Sequence, residues 1–389
     1  MKEIHPKHVS QYIDFPKNIM IAFGMWLPPN NYVILHRLYM IIVLFTQFIF
    51  VILEFVYIGQ VWGDLDEVSE ASYLLLTQAA VCYKITVALL NKNNLIKLLE
   101  FMEGEFFNPQ SEEQKILFLR ARTIRRLSTF FLTSALTTCT LWAMIPLFDA
   151  ASKRSFPFKI WMPFGPQRSP QYELGYVYQM ISVYISAFLF IAVDSLTLVM
   201  IMYGCAQQEI IMDKLNQVAT ASNSERKDEK DNLMKDNNEL FTECVKQHQA
   251  VTRFIENVEN MFHGNIFFQL SGTVGIICII GLRISIVNSV QFFSMCNYMV
   301  TMLSQLFLYC WTGNELTIRS QDLRDLLYQC PWYEQGIPFR RSLWIAMERM
   351  KRPIIFRAGH YIPLSRPTFI SILRSSYSYF AVINQTNNK

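Results

Sequence analysis

Charged residues are scarce in this chain of 389 residues. Asp, Glu, Lys and Arg make up 17% of it, whereas a soluble protein carries about a quarter. Hydrophobic residues account for 52% and aromatic residues for 14%. The shortage of charge excludes an ordinary soluble domain, and the surplus of apolar and aromatic side chains is typical of a protein that lies in a lipid bilayer.

The sequence also lacks the patterns of enzymes and of nucleic-acid-binding proteins. Its six histidines are scattered without metal-ligand spacing, and no CxxC pair, HExxH motif, phosphate-binding glycine loop or nucleophile elbow occurs. The net charge of +4 is small, and no basic stretch is interleaved with stacking aromatic residues. We therefore predict a protein that is not an enzyme, with no catalytic residue, cofactor, metal site or nucleic-acid partner.

Long apolar runs recur along the chain, and each is long enough to cross a bilayer as a helix, which takes about 20 residues. The last run carries Arg366 and Arg374, so as a helix it must face protein or water. It is either a pore-lining helix or a helix buried in the middle of a bundle. The pattern predicts an all-α membrane protein with seven transmembrane helices. The runs are 33–58, 71–90, 127–148, 175–205, 265–290, 292–313 and 361–385.

The distribution of Lys and Arg predicts an inverted topology, with a cytoplasmic N-terminus and an extracellular C-terminus. In this orientation 26 of the 35 basic residues lie in cytoplasmic segments, as the positive-inside rule requires. None of the eight cysteines lies in the outer loop 149–174, where a G-protein-coupled receptor usually carries one for a disulfide. Both observations count against that class. A secondary transporter is disfavoured because no internal repeat is visible.

This topology divides the chain into five parts. Apolar positions recur on one face of the cytoplasmic segment before the last span, and they require a partner, either neighbouring helices or another subunit. The parts are a cytoplasmic N-terminus at 1–32 with an interfacial helix at 18–29, spans one to six at 33–315, a cytoplasmic helical anchor region at 316–358, the pore-lining last span at 359–385 and an extracellular tail at 386–389. Within the second part, 206–264 is a mobile cytoplasmic loop, with its mixed-charge stretch at 220–239.

Charged residues that fall inside other predicted spans include Lys84, Asp194 and Arg283. Counting 1.5 Å per residue along each helix places Lys84 and Asp194 at similar depth in the inner half of the membrane. We predict that they form a structural ion pair; the alternative is that one of them faces water near a pore. Arg283 falls near the outer end of span five, where its side chain is expected to extend to the membrane surface.

Several segments, in order along the chain, resemble the insect odorant receptor family. The two most specific are PLSRPTFISILRSSYSYF at 363–380 and FPFKIWMPFGPQRSPQYELGYVYQ at 156–179. One departure is Arg366-Pro367, where many relatives carry an apolar and then an acidic residue. The supporting matches are FGMWLPPN at 23–30, VDSLTLVMIMYGCAQQEII at 193–211 and CPWYEQ at 330–335.

The resemblance implies an odorant-gated, non-selective cation channel subunit in the plasma membrane of sensory-neuron dendrites. Subunits of this family form heteromeric tetramers through their cytoplasmic anchor regions, in contact with membrane lipid. This chain lacks the long insertion of the common co-receptor, so it resembles the odorant-specific subunit that assembles with it. The gate maps onto Val382, with Gln385 beside it. Ser378-Tyr379 is also similar to the tail of gustatory receptors, so a channel that works without a co-receptor is the alternative.

By the same resemblance, a small volatile odorant binds in the outer half of the bundle, among spans two, three, four and six. Burying an apolar ligand contributes about 0.8 kcal/mol per methylene, and a single hydroxyl or indole can orient its polar end. Helical spacing on each span selects the candidate ligand-binding residues. They are Tyr73, Thr77, Ser134, Thr138, Trp142, Tyr184, Phe188, Tyr298, Thr301 and Met302.

Overall fold

Long α-helices make up nearly all of the computed structural model, which describes residues 7–26, 33–104, 107, 113–148, 156–163, 169–218, 227–286 and 289–387. This confirms the predicted all-α architecture. In chain order the helices are α1 (Lys7–Ala22), α2 (Val33–Gln60), α3 (Leu65–Leu90), α4 (Lys92–Met102), α5 (Glu113–Phe148), α6 (Gln171–Asn216), α7 (Lys227–Ile286), α8 (Ser289–Gln329), α9 (Ile337–Met350) and α10 (Arg366–Asn387).

The bundle packs around α6. Every residue from Leu189 to Gln208 is buried, because this stretch is apolar on all sides and such a helix is stable only in the interior. α6 contacts α1, α2, α3, α5, α7 and α8. At Gly204 a Cβ atom would overlap the side chain of Ile255 on α7. The absence of a side chain there allows the two helices to approach closely.

α2 has one buried stripe and a broad apolar face that is exposed. Val43, Gln47 and Phe50 belong to the stripe, whereas Ile42 and Phe45 are exposed. An exposed apolar face of this size is stable against lipid tails. By length and composition, five described helices could cross a membrane: α2, α3, α5, α6 and α7. α8 and α10 are more polar, and they join the bundle by packing, α8 on α5, α6 and α7 and α10 on α7 and α8.

The predicted boundaries need correction at the N-terminus and between spans four and five. The interfacial helix expected at 18–29 is wrong in its limits, because α1 begins at Lys7 and ends before Gly24, whose φ of 72° is left-handed. Residues 27–32 lie outside the described residues. The mobile loop expected at 206–264, with its mixed-charge stretch at 220–239, is wrong up to Asn216, where α6 ends, and from Lys227 onward, where α7 begins. Stretch 219–226 also lies outside the described residues.

Tertiary contacts explain why the mixed-charge start of α7 is helical. The amide of Asn237 donates to Gln335 Oε1 at 3.1 Å, and the rings of Phe241 and Phe339 lie 4.7 Å apart. α7 therefore rests on α9 and on the connection that precedes it, and this packing stabilises a helix that the local composition does not favour. Several other helices likewise continue past the predicted spans, notably α5, α6 and α8.

A two-stranded hairpin joins α9 to α10. Its strands are β1 (Arg357–Ala358) and β2 (Ile362–Pro363), which pair antiparallel. Gly359 turns with a φ of 59°, and a Cβ atom there would lie 2.8 Å from the Phe267 ring on α7. A Cβ atom at Gly313 of α8 would lie 2.7 Å from the carbonyl oxygen of Leu364. The hairpin thus packs tightly between α7 and α8. This packing fixes the position at which α10 starts.

α10 begins later than the predicted last span. Its first residue is Arg366, and the Ser365 hydroxyl accepts a hydrogen bond from the Thr368 backbone N–H at 3.3 Å, as a helix N-cap does. The expected helical start at residue 361 is wrong, because residues 361–364 belong to the hairpin and its exit. The last helix therefore starts at the tight contact with α8.

The anchor region has two different faces. Leu323, Phe339 and Leu343 are buried against the rest of the chain, whereas Trp344 is 75% exposed. Exposed apolar side chains surround Trp344 and form a groove with Tyr328, Trp332 and Ile337. Packing within one chain therefore explains one face of this segment and leaves the other uncovered.

Candidate functional site

An internal cavity of about 60 Å³ lies between α3, α5, α6 and α8. Its wall is mainly apolar, with hydroxyl groups and one indole spaced around it. A water molecule occupies about 30 Å³ of liquid, so the cavity is small but real in an otherwise packed bundle. It is lined by Leu74, Thr77, Gln78, Val81, Phe131, Ala135, Thr138, Cys139, Trp142, Val183, Ser186, Ala187, Phe190, Tyr298, Thr301 and Met302.

Six of the ten predicted ligand-binding residues line this cavity. Two others lie directly behind its wall. The Tyr73 ring packs 5.8 Å from that of Tyr298, and the Ser134 hydroxyl lies 2.7 Å from that of Thr301. The six that line the cavity are Thr77, Thr138, Trp142, Tyr298, Thr301 and Met302.

On α6 the structure presents a different face from the predicted one. Tyr184 and Phe188 do not line the cavity, and the Phe188 ring packs instead 5.6 Å from Phe23. The lining residues are Val183, Ser186, Ala187 and Phe190, which follow helical spacing one residue out of step. Because α6 is apolar on all sides, periodicity does not identify the inward face. Only the small size of the Ser186 and Ala187 side chains indicated which face of α6 points toward the cavity.

Most hydroxyl groups of the wall already have hydrogen-bond partners. The hydroxyls of Thr77 and Tyr298 bond to each other across α3 and α8. The Asn297 amide donates to Thr138 Oγ1 at 2.8 Å, and the Thr301 hydroxyl donates to the Asn297 carbonyl at 2.9 Å. These bonds hold α3, α5 and α8 around the cavity. They leave the hydroxyls with little capacity to donate to a ligand.

The indole of Trp142 differs from these hydroxyls. Its N–H is buried and has no acceptor among the described residues. The ring is held in place by Tyr298 at 5.1 Å and by Phe158 at 5.3 Å between ring centroids. A buried donor without a partner costs about 1–3 kcal/mol. The Trp142 ring therefore lines the cavity, while its N–H is buried among neighbouring side chains without an acceptor in the described part of the chain.

The cavity floor adjoins a buried charged network. Phe190 of the wall lies under Lys84, whose Nζ is 3.7 Å from the ring centroid. Lys84 Nζ donates to Asp194 Oδ1 at 2.6 Å, which confirms the predicted ion pair. Asp194 also accepts bonds from the Tyr309 hydroxyl, at 2.7 Å, and from the Gln305 amide. α3, α6 and α8 are thus tied together beneath the cavity.

Arg283 at the end of α7 does not extend freely to the membrane surface as expected. It is buried, and its guanidinium lies 3.0 Å from the Glu70 carboxylate and donates to the Asp66 carbonyl at 3.4 Å. That expectation was wrong because acidic residues in the first turns of α3 lie beside the end of α7. This pair joins α3 to α7 on the side of the bundle that holds the α2–α3 connection.

The predicted gate residues lie near the end of α10. Val382 is 63% exposed and Gln385 is exposed on this single chain. Arg366 and Arg374 are exposed as well. One face of α10 packs on α7 and α8, where a Cβ atom at Gly281 would lie 3.2 Å from the Phe380 ring. The opposite face, which carries the gate residues, is uncovered.

Comparison with known proteins identifies the family. The model of the 7tm odorant receptor family matches residues 64–377. Odorant receptor 46a, isoform A, of Drosophila melanogaster is 25% identical over 365 residues, covering 91% of this chain and 92% of that protein. Odorant receptor Or1 of Anopheles gambiae is 22% identical over 347 residues, covering 84% and 83%.

The fold is similar to that of a solved receptor. The insect olfactory receptor OR5 from Machilis hrabei superposes with a TM-score of 0.82 at 13% identity, over 97% of this chain and 99% of that one. The same receptor in complex with eugenol gives a TM-score of 0.82 at 12% identity, with the same coverage. Together with the family match, this confirms the seven-transmembrane fold. The chain is not an enzyme; it belongs to the seven-transmembrane odorant receptor family.

Proposed function

We propose that this chain is the odorant-specific subunit of a ligand-gated, non-selective cation channel in the plasma membrane of sensory-neuron dendrites. A small volatile odorant binds in the cavity between α3, α5, α6 and α8 and opens a pore in a tetramer with the odorant co-receptor. The single observation that carries the proposal is the apolar cavity between these helices, whose wall includes Trp142 with a buried N–H that has no acceptor among the described residues. A receptor of the same fold in complex with eugenol supports a small organic ligand.

The size of the cavity supports a mechanism in which the ligand shifts a conformational equilibrium. At about 60 Å³ it is smaller than a typical ligand pocket of roughly 300 Å³ or more. An odorant therefore binds a state in which the walls have moved apart, and this differential affinity favours the expanded state. Met302 is a wall residue with an unbranched, flexible thioether side chain, which adapts readily to a change in cavity shape.

The charged network supplies the connection from cavity to pore. Moving Phe190 outward displaces the ring against Lys84, and Lys84 is bonded through Asp194 to Tyr309 and Gln305 of α8. α8 in turn meets the start of α10 at Gly313. Rearrangement of the walls is thereby transmitted to the last helix through packed side chains.

The uncovered surfaces support a pore made by several subunits. Arg366 and Arg374 are exposed on α10, although an arginine facing lipid is costly. Water in a pore, or a neighbouring subunit, removes that cost. The branched side chain of Val382 suits a dewetting constriction, and Gln385 suits the polar mouth beside it. The exposed Trp344 groove of the anchor region is a surface on which subunits could assemble.

Whole-cell recording tests the proposal. Cells expressing this chain with and without an insect odorant co-receptor are exposed to a broad panel of volatiles while G-protein signalling is blocked. Rapid cation current only with the co-receptor is the expected result. Current from this chain alone would favour the gustatory-type alternative, a channel that works without a co-receptor. Current lost on G-protein block would favour a G-protein-coupled receptor, and silence despite confirmed surface expression would contradict the proposal.

The pore assignment makes a separate prediction. Replacing Val382 by Ala or Ser should raise the leak current or change ion permeability, because a smaller or more polar ring hydrates more easily. The measurement is the current at rest and its reversal potential in cells with matched surface expression. Ile370→Ala, at an exposed position near the other end of α10, is the control. Unchanged leak and permeability for Val382 variants would contradict its place at the gate.

A further inference from the structure

A second concave surface lies between α1 and α5. It encloses about 660 Å³ and is lined by Asp14 of α1 and by Phe118, Ala121, Arg122, Arg125, Arg126 and Thr129 of α5. No residue of this groove lines the cavity described above. The mechanism proposed for odorant binding does not use it.

The groove carries an excess of positive charge. Arg122, Arg125 and Arg126 are exposed, and their spacing along α5 places them on one face. Within the described part of the chain none of the three forms an ion pair. Their neighbour Arg120 behaves differently, because its Nε donates to Glu209 at 2.9 Å and its Nη2 lies 3.3 Å from Glu315. One arginine of this helix segment is thus used for packing, and three are left for a ligand.

Asp14 is the acidic residue of the groove. It is half-buried on α1 and has no ion-pair partner among the residues that the structure describes. Its carboxylate weakens the attraction for an anion without cancelling three guanidinium groups. Asp14 therefore provides a test of the site. Removing its charge should strengthen anion binding, whereas removing an arginine should weaken it.

The groove lies at the level of lipid headgroups. Span three is predicted to begin at residue 127, so the three arginines come directly before the apolar segment, at its cytoplasmic end. Phe130, just inside the span, is 61% exposed, and Leu119 and Phe118 are exposed as well. Apolar side chains that face lipid tails therefore flank arginines at the membrane boundary. A free anion does not require this combination, whereas a phospholipid does.

We propose that the groove binds the headgroup of an anionic phospholipid of the cytoplasmic leaflet, with phosphorylated inositol lipids as the tightest ligands. Guanidinium groups form paired hydrogen bonds with phosphate oxygens, and basic pockets beside transmembrane helices are known to accept such headgroups. The acyl chains lie along the exposed apolar side chains of α5. A lipid bound here contacts α1 and α5 together and stabilises α1 against the bundle.

Native mass spectrometry of the purified full-length protein, titrated with phosphatidylinositol bisphosphate, measures the apparent affinity, with phosphatidylcholine as the neutral reference. Each arginine near an anionic headgroup contributes about a fivefold change in affinity. The R122Q/R125Q/R126Q variant should therefore bind roughly a hundredfold more weakly. D14N should bind several times more tightly. Because the three arginines are exposed and the half-buried Asp14 has no ion-pair partner among the described residues, these variants should keep the thermal stability of the natural chain.

A matched control removes the same charge elsewhere. K235Q/K246Q/R253Q neutralises three exposed residues of α7 and should leave the affinity unchanged within about twofold. An equal loss in this control, no loss in the α5 variant, or weaker binding by D14N would each overturn the proposal. Soluble inositol trisphosphate should compete only weakly, because it lacks acyl chains. Competition as strong as that of the lipid would mean a site for a free phosphate compound and would overturn the lipid assignment.

Discussion

The two ends of the buried α3–α6–α8 interface are built in opposite ways. Around Ser186 the helices leave a cavity of about 60 Å³, and a Trp142 N–H has no acceptor. Eight residues further along α6, roughly 12 Å, Asp194 accepts bonds from Lys84, Gln305 and Tyr309. One end is incompletely packed, and at the other end both carboxylate oxygens of Asp194 accept hydrogen bonds. A ligand gains most where the protein's own contacts are incomplete.

The free-energy costs of a cavity and of an unpaired buried charge explain why both ends are tolerated. An empty cavity costs about 24 cal/mol per Å³, so 60 Å³ costs about 1.5 kcal/mol. A buried charge left without its partner costs about 3–5 kcal/mol. The bundle therefore tolerates a cavity of this size at modest cost, whereas the loss of one partner of the ion pair is costly. Mutations at the two ends should differ accordingly.

The largest effect is expected at Asp194. Asp194→Asn removes the negative charge opposite Lys84, which is as buried as Asp194 itself, and should destabilise the protein by about 3–5 kcal/mol. The thermal stability of the purified protein, followed by the loss of its monodisperse peak after heating, and the amount at the cell surface are the measurements. Stability within about 1 kcal/mol of the natural chain would show that the pair is not essential.

The matched control replaces both partners. Lys84→Met combined with Asp194→Leu removes both charges and should cost much less than Asp194→Asn alone, because no unpaired charge remains. Gln305 and Tyr309 lose both acceptor oxygens in the double variant, whereas the asparagine side chain of the single variant keeps one carbonyl oxygen, so the lost hydrogen bonds count against the double variant. A double variant that is no better than the single one would assign the loss to those hydrogen bonds instead of the ion pair.

The sequence predicted this charged end better than the residues that line the cavity. Depth counted along helices places Lys84 beside Asp194, because a charge within lipid has few possible partners. The seven spans could be predicted from the apolar runs, because a helix within lipid has to be apolar over most of its length. The cavity depends on which face of α6 points inward, and an all-apolar helix gives no period from which to read it. Tyr184 and Phe188 were therefore predicted in place of Val183, Ser186, Ala187 and Phe190.

The same reasoning explains the errors outside the membrane. The start of α7 has a loop-like composition, and its helix depends on contacts with residues about 100 positions later, such as the pair Asn237 and Gln335. The local sequence does not indicate these contacts. Arg283 was misjudged for a similar reason, since Glu70 lies far away in sequence and close in space.

A smaller effect is expected from filling the cavity. Ala135 lines it on α5, and the series Ala135→Val and Ala135→Leu adds volume stepwise where space exists. Because the cavity accepts part of the added volume, we expect a stability change below about 1 kcal/mol, less than typical overpacking. Odorant sensitivity should fall with each step, while current evoked by a co-receptor agonist stays constant. Equal loss of both currents would indicate misfolding, and unchanged odorant sensitivity would place the ligand elsewhere.

The smallest effect should come from the Trp142 N–H, which has no acceptor among the described residues. Trp142→Phe keeps an aromatic ring against Tyr298 and Phe158 but removes the N–H, which is worth about 1 kcal/mol when bonded to a ligand acceptor. Sensitivity to a ketone or ester agonist should fall about fivefold, while that to a hydrocarbon of the same length should be unchanged, since it never used the donor. Dose–response curves of both ligands on the natural chain and on the variant give the change in sensitivity for each ligand. A loss of the same size for both ligands would mean that the indole acts by shape alone. The cavity would then select odorants by volume, without a polar contact.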